Sequence, residues 1–243
     1  MDTAAVISDM TLNDKLPTFS PCFLPTMSIC DPTYTFSVSK RQTASGTADI
    51  MSHTLESYFN NNDDAFLTNR FAESILLTCI KYGPLAIEEP DNYEARANLM
   101  WASSNAINGF IKAGCNIAWC VHPMEHELSA FYDITHGIGL AILTPHWMRH
   151  VLSEATAPKF AEYGINVWGI DSSLPAMTIA EEAIEKTAVF FTESLGIPAT
   201  LRETGITDES KFEIMAEKAA ASCKNAYVPL TKEDVLAIFK AAF

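Results

Sequence analysis

The sequence predicts a mainly α-helical protein with a short β-leaning arm at its N-terminus. Three observations predict it. From about Thr43 onward, apolar residues recur at helical spacing to the end of the chain. Before that point Pro17, Pro21, Pro25 and Pro32 interrupt the chain and exclude long helices. Helix punctuation such as Gly83-Pro84 and Gly196 with Pro198 then falls between the periodic segments.

Within the arm, Ala5-Val6-Ile7-Ser8 and Met27-Ser28-Ile29-Cys30 are short apolar runs, each followed by Asp, and read as two strands. Two strands alone do not make a stable sheet. They are expected either to pair with something outside this chain or to pack on the helices. The first helix is expected over roughly 47–60, closed by the turn Asn60-Asn61-Asn62-Asp63-Asp64. The next runs over about 65–82 and stops at Gly83-Pro84. Further helices follow over about 91–113, 116–131 (despite Pro123), 135–151 and 156–168. Thr178-x-x-Glu181 reads as a capping box opening a helix to about Leu195. Residues 208–222 carry an apolar stripe through Phe212, Met215, Ala216 and Ala219. Thr231-x-x-Asp234 caps the last helix, to Phe243.

The composition supplies ample core: 48% of the 243 residues are apolar and 19% are charged. Sixteen basic against 30 acidic residues give a formal charge of −14, which argues against nucleic acid or an anionic membrane as partner. The six cysteines form no Cys-x-x-Cys pair and read as reduced thiols. The N-terminus has no basic leader, and no apolar run approaches a membrane span. A soluble, cytoplasmic protein is expected.

The chemistry concentrates in His122-Pro-Met-Glu-His-Glu-Leu-Ser-Ala-Phe-Tyr-Asp-Ile-Thr-His136. His122 and His126 stand at i and i+4, so on a helix they share a face. Upstream, Asp49 and His53 repeat that spacing. A carboxylate and imidazoles form a donor set suited to Fe²⁺, Zn²⁺ or a similar ion. Any one of these histidines alone reads better as a core or surface group. Together, in largely apolar helices, they read better as a metal site. His146 and His150 are expected to be packing or surface groups. Gly137-Ile-Gly139 imitates half a dinucleotide fingerprint but follows no strand. Trp101, Phe110, Trp119, Phe131 and Tyr132 read as core, with Phe131 and Tyr132 alternatively lining a small apolar pocket.

These residues resemble the iron-containing (group III) alcohol dehydrogenases, in particular their butanol-dehydrogenase branch. The matching stretches are Asp31-Pro-Thr-Tyr-Thr, Ser45-Gly-Thr-Ala-Asp-Ile-Met-Ser-His-Thr-Leu-Glu56, His122-x-x-x-His126-Glu-Leu, His136-Gly and Thr231-Lys-Glu-Asp-Val. The resemblance covers the whole chain and implies the helical C-terminal domain of dehydroquinate synthase-like and iron alcohol dehydrogenases. It implies that residues 1–42 are the remnant of a Rossmann-like nucleotide-binding domain and that 43–243 are the metal-binding catalytic domain. Family members carry a Gly-Gly-Gly-Ser turn in their N-terminal half, and this chain has no Gly-Gly pair. The chain is therefore expected to lack most of that half, with Met1 standing for an internal methionine.

By the same resemblance Asp49, His53, His122 and His136 would ligate the metal, with Fe²⁺ ahead of Zn²⁺. His126 would help move the proton, and Lys15 would contact the cofactor ribose. The implied reaction is hydride transfer between NAD(H) or NADP(H) and a small aldehyde or primary alcohol. The competing readings are an inactive metal-binding fragment of that enzyme and, with only the ligand set behind it, a metal-dependent hydrolase. Unpaired strands in the arm imply a homodimer or self-association through it.

Overall fold

A computed structural model describes residues 3–9, 11–62 and 64–243. The arm is an antiparallel hairpin of β1 (Ala4–Asp9) and β2 (Asp14–Phe19), in a register that runs from Ala4 opposite Phe19 to Asp9 opposite Asp14. The first expected strand is therefore present. The second is misplaced: Met27–Cys30 takes no regular structure and is exposed, while Asp14–Phe19 forms the partner instead. The aspartate after the turn and Pro17 hid that strand, but a proline is tolerated in an edge strand, where its missing N–H faces no ladder. Met1, on which the internal-start reading rests, and Asp63, part of the expected Asn60–Asp64 turn, lie outside the described residues, as do Asp2 and Met10.

Helix α1 (Lys40–Tyr58) begins seven residues earlier than the periodicity implies, because the Ser39 side chain accepts from the Gln42 N–H and caps it there. Helix α2 (Phe66–Glu88) does not stop at Gly83-Pro84 but runs through it. Gly83 is a packing position: a Cβ there would sit 2.6 Å from Thr47 Cγ2 of α1. Helix α3 (Tyr93–Ile107), capped by Asn92, ends before Gly109 at φ 93°. Helix α4 (Val121–Tyr132) accepts Pro123 because first-turn N–H groups have no intrahelical partner. Helices α5 (His136–Val151) and α6 (Ala157–Trp168) follow as expected.

Helix α7 (Ala176–Val189) opens after Pro175, so Thr178 lies inside its first turn and does not cap it. It widens into a π turn over Phe190–Ser194, and Phe190 and Phe191 are both buried. Helix α8 (Phe212–Cys223) precedes α9 (Lys232–Ala241), where the expected capping box of Thr231 and Asp234 is formed. Trp101 and Phe110, expected in the core, are exposed.

Helix α1 is the central element. It packs on α2, α3, α4 and α5, and from Ala48 to Tyr58 only His53 and Asp49 of its residues escape full burial. Its contact with α5 is closest at Gly137, where a Cβ would stand 2.0 Å from the Ser45 carbonyl oxygen. The glycine pair 137/139 therefore serves helix packing, not a dinucleotide. Strand β2 lies on α4. Lys218 of α8 holds the hairpin turn, donating to Asn13 O at 2.9 Å and Asp14 Oδ1 at 2.6 Å.

Candidate metal centre

Asp49 and His53 leave α1 on one face, a turn apart. The glycine contact presses the N-terminus of α5 onto α1, which brings His136 to that face, and α4 supplies His122. One carboxylate oxygen, Asp49 Oδ1, lies 3.4 Å from His53 Nε2, 3.5 Å from His122 Nε2 and 3.7 Å from His136 Nε2. Ligands about 2.1 Å from one ion at tetrahedral angles lie ~3.4 Å apart. Asp49 Oδ1 and His122 Nε2 are buried and have no hydrogen-bond partner. Buried polar atoms ordinarily have one. The donors fit a bare divalent cation.

The electrostatics agree. Burial pushes the Asp49 carboxyl up, but the adjoining His122 and the other surrounding imidazoles outweigh it and hold it at about 2. Burial pushes His122 down, yet Glu56 and Asp49 draw it up to about 9. That place asks for positive charge. Burial, then the neighbouring His122, lower His53 to about 3. His126 is lowered to about 3 by burial and then by Lys15. It stands beside the cluster, its ring centroid 5.6 Å from that of His136.

Lys15 reaches in from β2. Its Nζ lies 3.1 Å from Glu125 Oε2 and 3.0 Å from Ser129 Oγ. Nζ also lies 3.1 Å from His136 Nδ1, so each of the three N–H donors of the ammonium has a neighbour. A cavity of about 800 Å³ opens over the cluster, its lining including Lys15, Trp119, His53, His122, His126 and His136. Trp119 packs against the His53 and His122 rings at 4.8 Å and 4.6 Å. Phe131 and Tyr132 do not line this cavity; Tyr132 reaches away to Asp208 O. His150 pairs with Asp234 at 3.0 Å on the surface, as expected of a group outside the site.

Glu56 and Glu125 are the side chains touching the cluster that the spacing argument passed over. Glu56 accepts from the backbone N–H groups of Cys120 and His122 and sits 2.8 Å from His122 Nδ1. Glu125 meets His136 Nδ1. Glu56 follows His53 by three residues on the same helix face, which is the one signal that could have found it.

A helical domain in which three helices bring Asp49, His122 and His136 within ligand reach of one another, with His53 beside Asp49, has the donor set of a metal-centre protein. The Fe-containing alcohol dehydrogenase family, C-terminal, matches residues 43–243. Among curated proteins, NADH-dependent butanol dehydrogenase A of Clostridium acetobutylicum is 55% identical over 100% of this chain and 63% of its own length. NADPH-dependent aldehyde reductase YqhD of Escherichia coli is 39% identical over 86% of this chain and 53% of its own length. The crystal structure of Escherichia coli YqhD superposes with a TM-score of 0.91 at 35% identity, covering 100% of this chain and 62% of that one. NADH-dependent butanol dehydrogenase A of Thermotoga maritima gives 0.89 at 33% identity, covering 100% and 62%. The chain belongs to the iron-containing alcohol dehydrogenase family, and it spans about 63% of the length of the first of these relatives. Among the described residues no helix is long and apolar enough to cross a membrane.

Proposed function

We propose that this chain is the metal-holding, substrate-facing part of an NAD(P)H-dependent alcohol dehydrogenase that interconverts small aldehydes and primary alcohols. The observation that carries the reading is the single Asp49 oxygen facing three imidazole Nε2 atoms at 3.4–3.7 Å. Asp49, His53, His122 and His136 would hold the ion, Fe²⁺ in first place and Zn²⁺ in second. When bound, such an ion supplies Lewis acidity to a carbonyl or alkoxide oxygen, and the nicotinamide supplies or accepts the hydride.

The rest falls to the chain's own side chains. Trp119, Ile107, Ile117 and the hairpin residues Leu16 and Phe19 line the cavity with apolar surface suited to a small alkyl chain. His126 lines that cavity beside His136 and would exchange a proton with the substrate oxygen. Lys15, which lines the same cavity, would reach the ribose. Residues 1–42 would then be the edge of the nucleotide-binding domain, and 43–243 the catalytic one. The six cysteines are unpaired, which suits a reducing cytoplasm.

The test loads the purified chain anaerobically with Fe²⁺, adds butanal, and follows NADH and then NADPH by absorbance. Turnover with either nucleotide supports the proposal. Stoichiometric metal without turnover would leave an inert metal-binding fragment. No metal binding at all would remove the site.

The hairpin also supports self-association. Val6, Ile7, Leu16 and Phe19 are exposed on it, and its two-stranded sheet has two open edges. We infer a homodimer formed through the arm.

A further inference from the structure

A histidine can present either ring nitrogen to a cation, and which one it presents is set by the hydrogen bond at the other. At two of the three imidazoles in the cluster the structure makes that choice with a buried carboxylate. Glu56 is 4% exposed and Glu125 is fully buried. Glu56 is anchored first by backbone: the N–H groups of Cys120 at 2.6 Å and His122 at 2.8 Å fix its carboxylate across from α1 to α4. From there Oε1 faces His122 Nδ1. Glu125 is anchored by side chains: Ser129 donates to Oε1 and Lys15 to Oε2, and His136 Nδ1 meets that same Oε2, with Lys15 Nζ 3.1 Å from the nitrogen as well.

The packing has made room for both. A Cβ on Gly139 would stand 2.8 Å from Glu125 Cγ, so α5 lacks a side chain at the place that Glu125 occupies. The third imidazole is the internal contrast, since the buried His53 Nδ1 has no hydrogen-bond partner.

We propose that Glu56 and Glu125 are positioning residues for the metal centre. Each holds the Nδ1–H of one histidine, so that His122 and His136 turn unprotonated Nε2 atoms towards Asp49. The inference rests on the metal-site reading above and extends it to residues that touch neither metal nor substrate. It also gives Lys15 a second duty. Its ammonium is the counter-charge for the Glu125 carboxylate, so the arm is wired through one carboxylate to a ligand histidine. Outer carboxylates of this kind are each worth about 10- to 100-fold in metal affinity.

The test uses Zn²⁺, which is diamagnetic, with affinity measured by competition against a chromogenic chelator. For E56Q and E125Q the expected result is Zn²⁺ affinity lowered about 10- to 100-fold, with circular dichroism and metal-free unfolding close to the parent. E125L, which removes the acceptor altogether, should lose more than E125Q. Affinities within twofold of the parent would overturn the proposal. Failure of the parent itself to bind Zn²⁺ would instead overturn the metal site. Should the variants not fold, the parent still decides. In its Zn²⁺-loaded form, ¹⁵N–¹H spectra of the histidine rings should show His122 and His136 protonated at Nδ1. Coordination through Nδ1 would sink the idea.

Discussion

Gly137 and Ser45 touch backbone to backbone, so closely that a Cβ on the glycine would come within 2.0 Å of the serine carbonyl oxygen. That contact is what brings His136, the preceding residue, beside Asp49, one turn further along α1. G137A must push the two helices apart. It should lower stability by about 1–3 kcal/mol and weaken divalent-metal binding at the same time, read by denaturant unfolding and chelator competition. Gly46, beside Ser45 on α1, is the control, because nothing lies within 4 Å of its would-be Cβ. G46A should stabilise by about 0.5–1 kcal/mol. Equal effects from the two substitutions would contradict the close-approach account.

Removing a ligand should cost metal and stability together. H136A should abolish tight Zn²⁺ binding and with it the rise in melting temperature that Zn²⁺ gives the parent, since a cation that binds only the folded state stabilises it by mass action. Calorimetry with and without Zn²⁺ checks this. An unchanged metal-dependent shift would take His136 off the ligand list.

The α9 cap makes the pH prediction. Hydrogen bonds from the Thr231 backbone and side chain, with a further contribution from His150, hold the Asp234 carboxyl below its ordinary 3.8. A carboxyl lowered by folding contributes stability that is present above its ordinary value and lost as pH falls through the lowered one. D234A should therefore cost a few tenths of a kcal/mol to about 1 kcal/mol near pH 7, and the parent and variant should converge below about pH 3. Urea melts at pH 7, 5 and 3 test it; a constant gap would show that the charge is irrelevant to the cap.

The arm predicts association. Light scattering should find a dimer or larger species, and a V6K/L16E pair on the hairpin should shift it towards monomer while leaving the helical circular dichroism unchanged. A monomeric parent without dye-binding apolar surface would rule out assembly through this face.

The sequence made the helices and the ligand set readable because both follow from helical spacing. Asp49 with His53 and His122 with His126 announce themselves at i and i+4, and Thr231 with Asp234 forms its cap as the residue types require. What stayed hidden depends on neighbours distant in sequence. Gly83 looks like a stop until Thr47 is seen packed against it. Lys15 passes for a turn lysine until β2 lies on α4, and Glu125 looks like one more charge beside a histidine until His136 arrives from α5. The Met27–Cys30 run had the right residues for a strand but no neighbour to pair with.

Asp49 and His122 face each other across an excursion of the chain that contains all of α2 and α3. A cation shared by them would close that excursion as a cross-link closes a loop, reducing the freedom of the chain in every partly opened form. Amide hydrogen exchange in α2, α3 and the stretch before α4 should slow when Zn²⁺ is added, and proteases should cut there first when it is chelated. Metal supply would then govern the lifetime of this protein as well as its chemistry.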